Sequence, residues 1–128
     1  KNHGQTALKI DRVGLDRQGL AFVEIFNTSS ADADLTGLYL TGWLRTPRQT
    51  LAPPVLLGPG ARLTLSEGAS DPDLRLQATI DRQFPEVGLY DVAGAKPIDL
   101  MILAPLVPGQ AYGRAPSGSE TLGAFPVP

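Results

Sequence analysis

The side chains able to do chemistry are few and scattered. His3 is the only histidine of the chain. A Ser-His-Asp triad needs a histidine held between nucleophile and acid, and nothing around Lys1-Asn2-His3-Gly4 predicts such contacts, so a terminal tail is the plainer reading. Asp32 and Asp34, and again Asp71 and Asp73, form Asp-x-Asp pairs. Such carboxylates bind calcium when backbone oxygens complete the shell. Neither pair lies in a calcium-loop pattern, and Pro72 stiffens the second, so they read as loop acids and turn caps. Glu24 sits inside an apolar run. A general base there would need a partner acid, nucleophile or metal, and the sequence places none. The Glu24 carboxylate is expected on the solvent face or bonded to neighbouring backbone. No catalytic residue, cofactor site or metal site is expected.

The cations carry a different chemistry. Arg45, Arg48, Arg75 and Arg82 could meet phosphate or an acidic partner if they gathered on one face, but they read as scattered surface charge. Arg45 and Arg48 flank Pro47 close to Trp43, the only tryptophan. Arg and Trp are enriched where proteins dock, so Trp43, Arg45 and Arg48 form the candidate interaction patch. The prolines at 53–54 and 105–108 read as rigid turns that protect sheet edges.

The elements that must position these residues are strands. Phe22-Val23-Glu24-Ile25-Phe26-Asn27 alternates, with Val23 and Ile25 on one face and Phe22, Glu24 and Phe26 on the other. A small polar loop follows, and Leu35, Leu38 and Leu40 restart the apolar pattern around Gly37. The two runs are expected to form a hairpin inside the fold, with Asn27 making an Asx turn at the exit of the first. Upstream, Leu8, Ile10 and Val13 mark a first strand, joined to the second through the turn Asp16-Arg17-Gln18-Gly19. Downstream, residues 61–65, 87–92 and 97–103 read as strands, and 110–114 as a short segment before a turn. The run at 97–103 is almost continuously apolar through Ile98, Leu100, Met101, Ile102 and Leu103, which predicts burial on both faces or a central position. Residues 73–83 fit either a strand through Leu74 and Leu76 or a helical turn through Leu76, Ile80 and Gln83. The sum is about seven to nine short strands, the spacing of a β-sandwich.

Composition agrees. The chain has 128 residues, with 14 Gly and 12 Pro spread along it, which suits short strands and tight turns better than long helices. The length is that of one domain, residues 1–128, with a core over about 7–120. A net charge of −2 makes nucleic acid an unfavoured partner, because phosphate binding draws on positive charge. The absence of Cys excludes disulfides and thiolate chemistry. No apolar run is long enough for a membrane span, so membrane insertion of this domain is not expected. The chain opens without an initiating Met, and the expectation is an excised domain or a mature form whose ends belong to linker.

Several motifs together resemble the lamin-tail domain family. Phe22-Val23-Glu24-Ile25-Phe26-Asn27 is similar to its aromatic-x-Glu-Ile-x-Asn strand. Asp34-Leu35-Thr36-Gly37-Leu38-Tyr39-Leu40 is similar to its Asp-Leu-Ser-Gly-Trp-x-Leu strand, with Leu38 where the family carries Trp. Leu57-Gly58-Pro59-Gly60-Ala61-Arg62-Leu63-Thr64-Leu65 resembles its Leu-x-Pro-Gly-x-x-Leu-x-Leu hairpin. Gly88-Leu89-Tyr90-Asp91-Val92-Ala93-Gly94 with Ile98-Asp99 resembles the next strand and turn, and Gly109-Gln110-Ala111-Tyr112-Gly113-Arg114-Ala115-Pro116-Ser117-Gly118-Ser119 its closing motif. The resemblance implies an immunoglobulin-like all-β sandwich and a non-catalytic interaction or structural module. It implies a bacterial, extracytoplasmic setting, secreted or at the cell surface, with a protein or cell-surface component as partner. The alternatives it implies are a nucleic-acid or chromatin-associated module, as in lamins, and an accessory domain of a secreted hydrolase. Within the closing motif, Arg114 is expected to fix the turn through backbone hydrogen bonds.

Overall fold

The computed structural model describes residues 8–35, 37–42, 48–50, 56–78, 80–90, 97–114 and 122–127. Alternation dictates the strands. In β1 (Leu8–Leu15) and β2 (Ala21–Asn27) Leu8, Ile10, Val13, Leu15, Val23 and Ile25 are buried, while Phe22, Glu24 and Phe26 take the other face of β2. Beyond β2 the chain forms β3 (Ala33–Asp34), β4 (Tyr39–Thr41), β5 (Arg48–Thr50), β6 (Leu56–Leu57) and β7 (Arg62–Ser66). A short 3-10 turn at Pro72–Leu74 precedes β8 (Glu86–Tyr90), β9 (Pro97–Ile102), β10 (Gln110–Arg114) and β11 (Leu122–Pro126). The strands are shorter and more numerous than expected, because proline and glycine break the middle of the chain into pieces of a few residues.

Among the described residues the ladders between these strands are antiparallel. One sheet has the order β11-β10-β1-β2-β7, the other β5-β4-β8-β9, and β3 pairs with β6 in a two-stranded ribbon. Side chains from both sheets meet in one cluster: Leu8, Ile10, Val13, Val23 and Ile25 from the first, Leu40, Val87, Leu89 and Met101 from the second. The fold is an all-β sandwich. Among the described residues no helix is long and apolar enough to cross a membrane.

The expected hairpin of residues 22–27 and 35–40 does not form. Both edges of β2 are taken, by β1 and by β7, while β4 pairs with β5 and β8 in the opposite sheet. The stretch is a crossing between sheets. Its second half is not a continuous strand either. The Leu38 amide donates to the Leu35 carbonyl at 3.1 Å, and Gly37 holds φ at 80°, a value L side chains rarely adopt. This turn sends Leu35 and Leu38 into the core, and both are fully buried.

Gly58 to Ala61 also turns between ladders rather than closing a hairpin: β6 pairs with β3, and β7 with β2. The hairpin of β1 and β2 does form. Asp16 Oδ1 accepts from the amides of Gln18 and Leu20 at 2.8 and 3.0 Å. Past the 3-10 turn, the described residues of 75–83 form neither a strand nor a helix: Leu76, Ala78 and Ile80 are buried, and the Leu76 amide donates to the Ser66 carbonyl at 2.9 Å. The sheet continues past residue 120, where β11 pairs along the whole of β10.

Candidate functional site

The polar centre of the molecule grows from one break in β1. Leu8 and Ile10 face the core, as do Val13 and Leu15, so the apolar phase slips by one residue between the pairs. A β-bulge absorbs the slip: the register with β2 shifts between Ile10 and Arg12, leaving Asp11 as the extra residue. The ladder from β1 to β10 begins only at Arg12, opposite Gly113. Ile10 therefore offers backbone groups that side chains must satisfy.

Arg114 and Asp99 do so. Arg114, the last residue of β10, donates from Nε to the Ile10 carbonyl at 2.9 Å. Its Nη2 donates to both Asp99 oxygens, at 2.9 and 2.7 Å, and Asp99 Oδ2 accepts the Ile10 amide at 2.7 Å. The pair is largely dry, with side chains 7% and 10% exposed. Because β9 belongs to one sheet and β1 and β10 to the other, the cluster ties the two sheets together. Beside it lies a cleft of about 230 Å³ lined by Lys9, Asp99, Leu100, Met101, Arg114 and Leu122.

The bulged residue starts a second cluster. Asp11 is fully buried, and its carboxylate accepts from Arg62 Nη1 at 2.6 Å; the same nitrogen reaches Glu24 at 2.8 Å. The guanidinium lies 4.2 Å from the centre of the Phe26 ring. Burial acts to lower the Arg62 pKa, yet the Asp11 hydrogen bond and the charges of Glu24 and Asp11 outweigh it, and the pKa is raised. A neighbouring pair repeats the stacking, with Arg12 4.4 Å from the centre of Phe125. Arg12 Nε is buried and has no hydrogen-bond partner.

Asn27 is a third knot. Its Nδ2 donates to the carbonyls of Ala31, Leu57 and Gly58 at 2.8, 2.8 and 3.1 Å. Its Oδ1 accepts from the Ser29 amide at 2.9 Å, the Asx turn expected from sequence. Asn27 thus pins the start of the crossing to the turn before β7.

The other sequence candidates fall as follows. His3, Trp43 and Arg45 lie outside the described residues, as does the side chain of Arg48, whose backbone opens β5 opposite Thr41. Arg82 donates to Glu67, to the Ile80 carbonyl and to the Gly19 carbonyl, and Arg75 donates to the Ala69 carbonyl. Both therefore anchor loops. Asp71 caps the 3-10 turn, accepting the Asp73 amide at 2.9 Å, and Asp32 is exposed. Glu24 bonds a cross-strand cation rather than backbone. Arg114 does bond backbone, at Ile10 on the adjacent strand β1; residues 115–121 of its closing turn lie outside the described residues. Asp11 and Asp99 escaped the sequence reading. Their signal was present: one interrupts the apolar phase of β1, and the other is the lone charge within the apolar run of β9. Among the described residues no group of three or more His, Cys, Asp or Glu is placed to hold a metal ion. The chain matches no family model and no curated protein.

Proposed function

We propose that this chain is a non-catalytic interaction or structural module of a larger bacterial protein outside the cytoplasm, an immunoglobulin-like member of the lamin-tail family. One observation carries the reading: the buried side chains best suited to chemistry are engaged in scaffolding. Asp11, Asn27, Asp99 and Arg114 bond one another, Arg62 or backbone. A carboxylate held by a guanidinium and a backbone amide is poorly placed to accept a substrate proton. What remains for partners is the surface of strands and loops; the Trp43, Arg45 and Arg48 stretch is a candidate on its residue types alone. Antibodies raised against the domain test the location. They should label intact, unpermeabilised cells of the source bacterium, and the parent reading frame should carry an export signal or anchor. Antigen confined to the cytoplasmic fraction overturns the proposal.

A further inference from the structure

The run at residues 97–103 predicts burial on both faces, but β9 comes last in the order of its sheet, and Leu100 and Ile102 are exposed. The phenylalanines are turned outward too. None of the four belongs to the core cluster, which is almost wholly aliphatic. Phe84 is 75% exposed in a loop. Phe22, Phe26 and Phe125 stand on the outward face of the five-stranded sheet: Phe22 and Phe26 alternate with buried Val23 and Ile25, and Phe125 shares the row of Ala111, Gly14 and Phe22.

Two guanidinium groups on this face each lie against a ring. Arg62 is 4.2 Å from the centre of Phe26, and Arg12 is 4.4 Å from that of Phe125. The two stacks differ in what completes them. Asp11 and Glu24 bring carboxylates to Arg62 at 2.6 and 2.8 Å. Among the described residues no carboxylate pairs with Arg12. Glu24 stands directly opposite it on β2 but is taken by Arg62. Arg12 Nε is buried without a hydrogen-bond partner, and it is the only guanidinium nitrogen of Arg12 so placed. The two terminal nitrogens make no hydrogen bond among the described residues either, and they lie at the surface. Gly113, opposite Arg12 on β10, leaves room for this pose: an added Cβ would lie 2.7 Å from Arg12 Cγ and 3.2 Å from Phe125 Cε2. Stacking holds the guanidinium, and its fork is unfilled.

We propose that this face docks an acidic peptide of a protein partner, one carboxylate of which fills the Arg12 fork as Asp11 and Glu24 fill that of Arg62. The surface belongs to the interaction module proposed above and rests on that reading. A planar fork suits a carboxylate bidentately, and stacking on a ring leaves its edge free to bind. In the next row, Phe125, Ala111, Gly14 and Phe22 lie side by side. Two rings with two small residues between them can receive an apolar side chain of the same peptide. Arg beside aromatic residues is the composition of interface hot spots. Charge selects the class of partner. Lys9, Arg12 and Arg62 outnumber Asp11 and Glu24 on this face, and the excess is small. It suits isolated carboxylates with apolar neighbours, whereas a polyphosphate or sulfated chain would press further anions against Glu24.

Magnetic resonance titration of the whole chain with two octapeptides tests this, one alternating Glu and Leu, the other Gln and Leu. The Glu peptide should move the Arg12 Nε signal and the Gly113 and Phe125 amides to saturation, and the Gln peptide should not. Arg12→Gln should weaken the Glu peptide by about tenfold or more with amide signals elsewhere preserved. Arg12→Lys, which keeps the charge and loses the fork, should retain only part of the affinity. Arg17→Gln, at an exposed site in the β1–β2 turn, should change nothing. Equal response to both peptides, affinity indifferent to Arg12→Gln, or displacement of the Glu peptide by equimolar tripolyphosphate or heparin oligosaccharide would overturn the proposal. Such a failure with antigen still at the cell surface would remove this docking face and leave the proposed location standing.

Discussion

At the scale of single residues, Arg114 and Asp99 show how a buried ion pair acts as structure. Each end of the pair also binds backbone of Ile10, so removing one partner strands the other charge and a peptide group together. Breaking such a pair costs ~3–5 kcal/mol, far more than the intact pair contributes over an apolar replacement. Asp99→Ala is therefore expected to lower the urea midpoint severely, and the double change Asp99→Leu with Arg114→Met to recover much of the loss. A double variant no more stable than Asp99→Ala would show that the pair supplies more than mutual neutralisation. Asn27→Ala should cost on the order of 1–3 kcal/mol for each buried carbonyl left without a donor, read in the same titration. The Leu38 site is completely dry, so Leu38→Asp buries an unpaired carboxylate and should abolish cooperative unfolding. A sharp melt in that variant would contradict its burial.

At the scale of elements, the bulge in β1 and the turn at Gly37 are the two devices that make the sandwich. The bulge lets one strand keep a core face through a phase slip, and the turn lets one stretch leave the first sheet and enter the second. Close approach of strands adds a constraint at Gly14, where an added Cβ would lie 2.6 Å from the Cα of Ala111 on β10. No rotamer relieves a clash with backbone, so Gly14→Ala should force β1 and β10 apart. The expected cost is at least the ~1–3 kcal/mol typical of overpacking, measurable by thermal melting. Unchanged stability would mean that this ladder yields more easily than its geometry implies. Most strand positions are legible in the sequence, because alternation such as that in β2 and β7 is local. Strand partners were less legible. A polar loop between two apolar runs looks the same whether the runs pair or part, and only the prior claim of β1 and β7 on β2 decides between them.

For the whole molecule, charge is the relevant quantity. A net −2 offers phosphate no excess of positive charge, and Arg62, Arg82 and Arg114 are engaged in internal ion pairs. The chain is expected to show no salt-dependent binding of duplex DNA at low ionic strength. Titration of labelled duplex by anisotropy checks this, and a steep salt slope would instead support the chromatin-like alternative. The candidate site was half legible at this scale. Asn27 and Arg114 read as scaffold from sequence, whereas the roles of Asp11 and Asp99 depend on the bulge in β1 and on which strands face one another across the sandwich.

In the crossing between residues 22 and 40, local sequence pattern is enough to assign the faces of β2. Alternation puts Val23 and Ile25 on the buried face of β2, and the short reach of its side chain lets Asn27 bond its own backbone, whereas the turn at Gly37 that buries Leu35 and Leu38 is not written in the apolar pattern. The tertiary structure alone decided that the two halves lie in different sheets, that Asp99 meets Arg114 across them, and that the most apolar strand stands at an edge. Those outcomes depend on which ladder claims each strand's backbone first, a competition between segments distant in sequence.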